Sequence, residues 1–281
     1  MDRVPRPARS STRRQRVREA TAREIKSTAR RLLVERGAEG LTLRAIAREM
    51  GMTAPALYRY FPSREDMLEH VIAELYDEVT GALEAARDEL PEEDVVERML
   101  AVSRTFRRWA LDHPGEFGLL FGSPIAGTSA SHPGGSGDAR DSGDPRDSRD
   151  PGDPGDPGDR DGGPAHAAGR RFGMLFGVLV GLLYQRQPFP IRSDEEIEPV
   201  LAARLREWCD DFPVRLPLGV LQVFLSCWIR LYGAVCLEVF GHLRFAVEDA
   251  EPMFETELQS LAGLLGARYR PPVAAATHGA A

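Results

Sequence analysis

The sequence predicts an all-α protein with an N-terminal helical domain and a larger C-terminal helical domain. Apolar residues recur at helical spacing from residue 19 to 79 and again beyond residue 92. Glycines and capping residues punctuate those stretches, and no segment shows the strict alternation of a strand. With 281 residues and 42% apolar content, the chain is large enough for about two domains with real cores.

Residues 1–18 contain Pro5, Pro7 and seven arginines with almost no large apolar side chain, so a disordered basic arm is expected there. The first helix then carries Ala22, Ile25, Ala29 and Leu32 on one face and stops at Gly37 and Gly40. Thr42 is placed to cap a short second helix with Leu43, Ile46, Ala47 and Met50 on its inner side, ended by Gly51. Thr53 is expected to cap a third helix. Ser63, with Asp66 three residues on, resembles a capping box opening a fourth helix that runs toward Pro91.

From Ala126 to Arg171 there is no Leu, Ile, Val, Met, Phe, Tyr or Trp, and 17 of the 46 residues are Gly or Pro. Asp recurs every third residue from Asp138 to Asp159, and the whole segment reads as a disordered insertion. Helical patterns resume over residues 172–187 and 193–211, where Pro199 either breaks or begins a helix. Residues 216–240 are apolar around nearly the whole circumference, which implies burial on more than one side. Residues 251–266 place Phe254, Leu258, Leu261 and Leu265 on one stripe, and a disordered tail is expected over 267–281.

The net charge of −7 conceals an asymmetry: residues 1–70 carry +7 and residues 71–281 carry −14. A basic end of this kind attracts phosphate, although charge alone is equally compatible with a solvated leader. Cys209, Cys227 and Cys236 form no metal or disulfide pattern. No apolar leader is present, and the longest unbroken apolar run, residues 172–183, is shorter than the roughly 20 residues that cross a bilayer. A cytoplasmic protein without membrane contact is expected. His113 and His242 are isolated, and Glu65, Asp66, Glu69 and His70 read as a solvated helix face. No nucleotide, hydrolase or metal fingerprint occurs, so neither enzymatic activity nor any metal or cofactor is expected.

Two short helices joined by a glycine turn have the layout of a helix-turn-helix, whose second helix enters the major groove. Leu57 and Phe61 would anchor that helix, leaving Ala54, Pro55, Tyr58 and Arg59 on another face. The stretch TLRAIAREMGMTAPALYRYF (Thr42–Phe61), followed by Pro62, Ser63, Arg64 and Glu65 and preceded by Ile25, Ala29, Leu32 and Gly37, resembles the tetracycline-repressor-like (TetR) regulators over residues 19–79. The resemblance implies that Thr42, Arg44, Tyr58 and Arg64 hold the DNA backbone, while Ala54, Pro55, Ala56 and Tyr60 lie against base edges. Leu43, Thr53 and Arg59 complete the candidate DNA-contacting set. A reader of alanines and proline offers few bidentate base contacts, which shifts weight to backbone contacts and DNA shape, with the Arg-rich arm entering the minor groove.

Two later strings, WALDHPGEFGLLFGSP (Trp109–Pro124) and WIRLYGAVCLEVFGHL (Trp228–Leu243), resemble a TetR subgroup with a WHG-type C-terminal domain, with Tyr232 standing where that subgroup usually has His. The resemblance assigns residues 92–266, apart from the insertion, to dimerisation and effector binding. The candidate effector residues are Phe117, Phe121, Gln222, Ser226, Trp228, Arg230 and Tyr232. Trp228 reads as core or as part of a ligand cage. Gln222, Ser226 and Arg230 form a polar stripe that faces either solvent or a pocket. The implied protein is a homodimeric repressor that binds double-stranded operator DNA and is released by a small-molecule effector. The alternative is a helical adaptor that keeps the fold and reads no DNA.

Overall fold

The computed structural model describes residues 13–37, 41–122, 163–210, 212 and 215–272. Among them the chain forms ten α-helices and no strand. Helix α1 (Arg13–Arg36) buries Ile25, Ala29, Leu32 and Leu33. It begins six residues before the expected boundary, so Arg13–Arg18 belong to a helix rather than a disordered arm. Apart from Val17 these residues are Arg and Gln, good helix formers, and the Gln15 amide reaches Glu19 one turn on, at 2.7 Å. Residues 1–12, the rest of that expected arm, lie outside the described residues.

Helix α2 (Leu43–Glu49) is capped as expected: the Thr42 hydroxyl accepts from the Ala45 amide at 3.0 Å. Gly51, at φ +64°, supplies the left-handed turn into α3 (Ala54–Leu57). Thr53 makes no side-chain cap bond, contrary to expectation; Pro55 in this single turn has already removed one amide donor. Helix α4 (Arg64–Asp88) opens on Ser63, whose hydroxyl accepts from the Asp66 amide at 3.0 Å. It runs without a break from the small N-terminal domain into the body. Met67, Leu68 and Val71 lie in its first half, while Tyr76, Val79 and Leu83 are buried farther along.

The body consists of α5 (Val95–Asp112), α6 (Pro114–Phe117), a π-helical turn (Gly118–Gly122), α7 (Pro164–Arg186), α8 (Pro199–Cys209), α9 (Leu218–Val239) and α10 (Glu251–Leu264). Pro199 begins α8, where its missing amide costs nothing, and Glu198 caps the Leu201 amide at 2.9 Å. Helix α7 begins at Pro164, so the C-terminal end of the expected insertion is helical: Ala165 and Ala168 are fully buried, and Gly169 lets the Tyr76 ring approach closely. The rest of the insertion, up to residue 162, lies outside the described residues. Residues 265–270, of which 267–270 fall in the expected tail, form a strap folded back on the body. Gln187 Nε2 donates to the Gly266 carbonyl at 2.6 Å, and Tyr269 Oη donates to Glu255 at 2.7 Å.

The centre of the body is aromatic. Phe106 has the rings of Phe117, Phe121, Phe172, Phe176 and Trp228 around it at 5.6 to 6.1 Å. Helices α7 and α9, at 23 and 22 residues, are long and apolar enough by length and composition to cross a bilayer, which the unbroken-run count did not reveal. Much of α7 is buried against α4 and α5, and α9 carries Arg230 paired with Glu257 and Glu238 paired with Arg107.

Candidate nucleic-acid interface and effector cavity

The reader segment is a single helical turn followed by a turn over Tyr58–Tyr60, anchored by fully buried Leu57 and nearly buried Phe61. With those side chains pointing inward, Thr53, Pro55, Tyr58 and Arg59 are exposed, and Ala54 and Ala56 are half-buried. Tyr58 keeps 49% of its surface in solvent, leaving its ring and hydroxyl open to a partner. Thr42 and Arg44 are exposed at the start of α2, on the neighbouring element.

Three candidates stand differently from expectation. The Leu43 side chain is buried at 4% exposure and belongs to the core, leaving only its main chain near the surface. Tyr60 packs partly against the core, with the Arg18 guanidinium 5.9 Å above its ring. Arg64 donates through Nε to the Leu41 carbonyl at 3.0 Å, tying the start of α4 to the approach to α2.

Electrostatics divides the cations of this domain into two groups. On the side facing the body, Lys26 pairs with Glu74, and Arg30 bridges Glu78 at 2.6 Å and Glu116 at 3.0 Å. Arg31 reaches Glu49 at 2.8 Å. By contrast, Arg13, Arg14, Arg16 and Arg23 on α1, together with Arg44 and Arg59, show no ion pair among the described residues.

The Arg30 cluster joins the two domains. Glu78 also accepts from the Trp109 indole at 3.3 Å, and the His113 ring stacks on Trp109 at 5.1 Å. Burial pushes the Glu78 carboxyl up, but hydrogen bonding and charge from Arg30 outweigh this and hold it below the usual range.

In the body, a partly open apolar cavity of about 50 Å³ lies between α5, α7, α9 and α10. Phe176, Phe224, Trp228 and Leu258 are among its walls, and Leu265 and Ala267 of the strap form one side. Of the seven candidate effector residues, Trp228 alone lines it. The polar stripe faces outward: the Ser226 hydroxyl is exposed and donates to the Gln222 carbonyl at 3.0 Å, and Arg230 pairs with Glu257 at 2.5 Å. Phe117 and Phe121 belong to the aromatic centre, and Tyr232 Oη donates to the Phe121 carbonyl. Burial raises the Tyr232 phenol far above its ordinary value, so it acts as a neutral donor. The cavity-forming residues of α5, α10 and the strap have no sequence signal beyond ordinary helical spacing.

Helices α9 and α10 also present large apolar side chains to solvent: Ile229 at 68% and Leu237 at 43% on α9, Phe240 at 44% just past its end, and Met253 at 54% on α10. The expected burial on more than one side of α9 is thus met on one side within a single chain.

Residues 25–71 match the model of bacterial regulatory proteins of the tetR family, and residues 148–261 match that of a tetracyclin repressor-like C-terminal domain. The HTH-type transcriptional regulator Rv1816 of Mycobacterium tuberculosis is 37% identical over 113 residues, covering 40% of this chain and 48% of that protein. PksA of Bacillus subtilis, also an HTH-type transcriptional regulator, is 33% identical over 89 residues, covering 31% and 43%. The chain therefore spans about half the length of the curated relatives it matches. A crystal structure described as that of a regulatory protein, SCO4313, superposes with a TM-score of 0.62 at 26% identity, covering 90% of this chain and all of that one. These relatives are regulators rather than enzymes. With both domains matched and the reader segment in place, the chain belongs to the TetR family of bacterial regulatory proteins.

Proposed function

We propose that this protein is a sequence-specific DNA-binding transcriptional regulator, a homodimeric cytoplasmic repressor released from its operator by a small-molecule effector. The observation that carries the DNA-binding reading is the outward face of Thr53, Pro55, Tyr58 and Arg59 over buried Leu57 and Phe61, with the Arg18 guanidinium over the neighbouring Tyr60 ring. Thr42, Arg44 and Tyr58 contact the phosphates, while Ala54, Pro55 and Ala56 lie against the base edges with Arg59 beside them. The exposed apolar residues of α9 and α10 support the dimer: two copies meeting there form a four-helix seam that covers Ile229, Leu237 and Met253.

Repression and release follow from spacing. Two readers must sit about 34–36 Å apart, or a multiple of a helical turn, to enter successive major grooves. An effector that favours another spacing lowers affinity by its preference for that state. Selection of bound fragments from genomic DNA at several salt concentrations tests the reading. A recovered palindrome whose affinity falls steeply with salt supports it, and retention of no fragment above background rejects it.

A further inference from the structure

The cavity in the body sets two conditions on whatever enters it. The first is chemical. No charged side chain lines its wall, and its two polar lining residues offer little to an ion. The Ser103 hydroxyl already donates to the Met99 carbonyl at 2.9 Å, and burial pushes the Cys227 thiol up to about 11, so it stays protonated at neutral pH. A ligand charge would be desolvated without compensation.

The second condition is size. About 50 Å³ is far below the several hundred Å³ of ordinary ligand sites, so a wall must move to admit a molecule of useful size. Most of the wall is helical and continuous with the core. One side is different: Leu265 and Ala267 belong to the C-terminal strap, which turns at Gly266 with φ +63°. Leu265 is buried and the amides of residues 265–267 bond to carbonyls of α10, while beyond them polar contacts near the surface hold this strap. Gln187 donates to the Gly266 carbonyl, Tyr269 donates to Glu255, Arg270 pairs with Asp94, and Arg104 donates to the Arg270 carbonyl at 2.7 Å. Such contacts exchange readily with water, whereas the buried helix faces do not.

We propose that this cavity is a binding site for an uncharged, predominantly apolar small molecule, and that residues 265–270 are the strap that opens to admit it and closes over it. The inference rests on the reading of the body as effector-responsive and adds the chemical class of the effector and its route of entry.

The test uses the full chain and an uncharged fluorophore, N-phenyl-1-naphthylamine, with 1-decanol and decanoate as competitors at neutral to alkaline pH. Saturable binding is expected, with decanoate weaker than decanol by about tenfold or more because its carboxylate finds no partner. Filling the site from the strap side with Ala267→Phe weakens the probe by about tenfold without altering a core helix. Unpinning the strap with Tyr269→Phe and Arg270→Ala speeds both association and dissociation in stopped-flow. Absence of saturable binding, equal competition by decanoate, or unchanged rates in the unpinned variant overturns the proposal. Operator titration with decanol separates the two readings. Probe binding with no change in operator affinity sinks effector release but leaves the site intact; release by a ligand that leaves the probe bound does the reverse.

Discussion

Replacing Arg30 by Met cuts the polar joint between the two domains. Arg30 lies on α1, whereas its partners are Glu78 of α4 and Glu116 of α6, so one guanidinium holds three helices through contacts of 2.6 and 3.0 Å. Glu116 keeps 17% of its side-chain surface in solvent and Glu78 keeps 39%. The Glu116 contact therefore approaches the worth of a charge-assisted hydrogen bond, while the Glu78 contact is discounted for screening. Together they predict a loss of about 2 kcal/mol, or about 4–8 °C in Tm for a chain of this size. Urea unfolding at fixed protomer concentration reads the loss directly. Arg30→Lys retains the charge but cannot make both contacts in a planar fork, and should recover about half. A change below about 0.5 kcal/mol for Arg30→Met, or full recovery by Lys, would refute the view that this bridge fastens the reader domain to the body.

Helix caps give a graded comparison: Thr42→Ala and Ser63→Ala should each cost about 1 kcal/mol, while Thr53→Ala, which loses no cap bond, should leave the urea midpoint nearly unchanged. Arg107 and Glu238 make a two-pronged pair at 2.7 Å with about one-seventh of each side chain exposed. Arg107→Met alone should cost about 2–4 kcal/mol, and Arg107→Met with Glu238→Leu much less; equal losses in single and double variants would contradict a desolvated pair. Acid stability follows from Glu255, which burial pushes up but hydrogen bonds from Arg104 and Tyr269 bring below the ordinary range. Because its folded value is depressed, its contribution is present above the unfolded value of about 4.3 and disappears as pH falls through the folded one. The urea midpoint should fall in that window, less steeply in Arg104→Met; an identical slope would exclude Glu255 as a contributor.

The reader domain was legible because its constraints are local. Helical period placed Ile25, Leu32, Leu57 and Phe61 inside, and the Thr42 and Ser63 caps are short-range geometry. The beginning of α1 was less legible: Arg-rich Arg13–Arg18 looks like a disordered leader by composition, yet it extends a helix nucleated farther along. Pro164–Arg171 illustrates the same difficulty, since Ala165 and Ala168 become core residues only through packing partners distant in sequence. On α9 the polar stripe was visible, but its direction was not, because Glu257, the partner of Arg230, comes from another helix. The cavity and its strap were illegible for a similar reason. Their residues come from four helices and the chain end, and the anchoring pair Arg270–Asp94 spans most of the body's sequence.

The central claim is that two copies of the Tyr58–Arg59 face grip one duplex. Sedimentation of the protein with a labelled operator duplex, for wild type and Tyr58→Ala, tests it most directly. The account predicts an even number of protomers per duplex for wild type, and an intact dimer that no longer sediments with DNA for Tyr58→Ala. A single protomer on the duplex, or a Tyr58→Ala protein that binds like wild type, would contradict it.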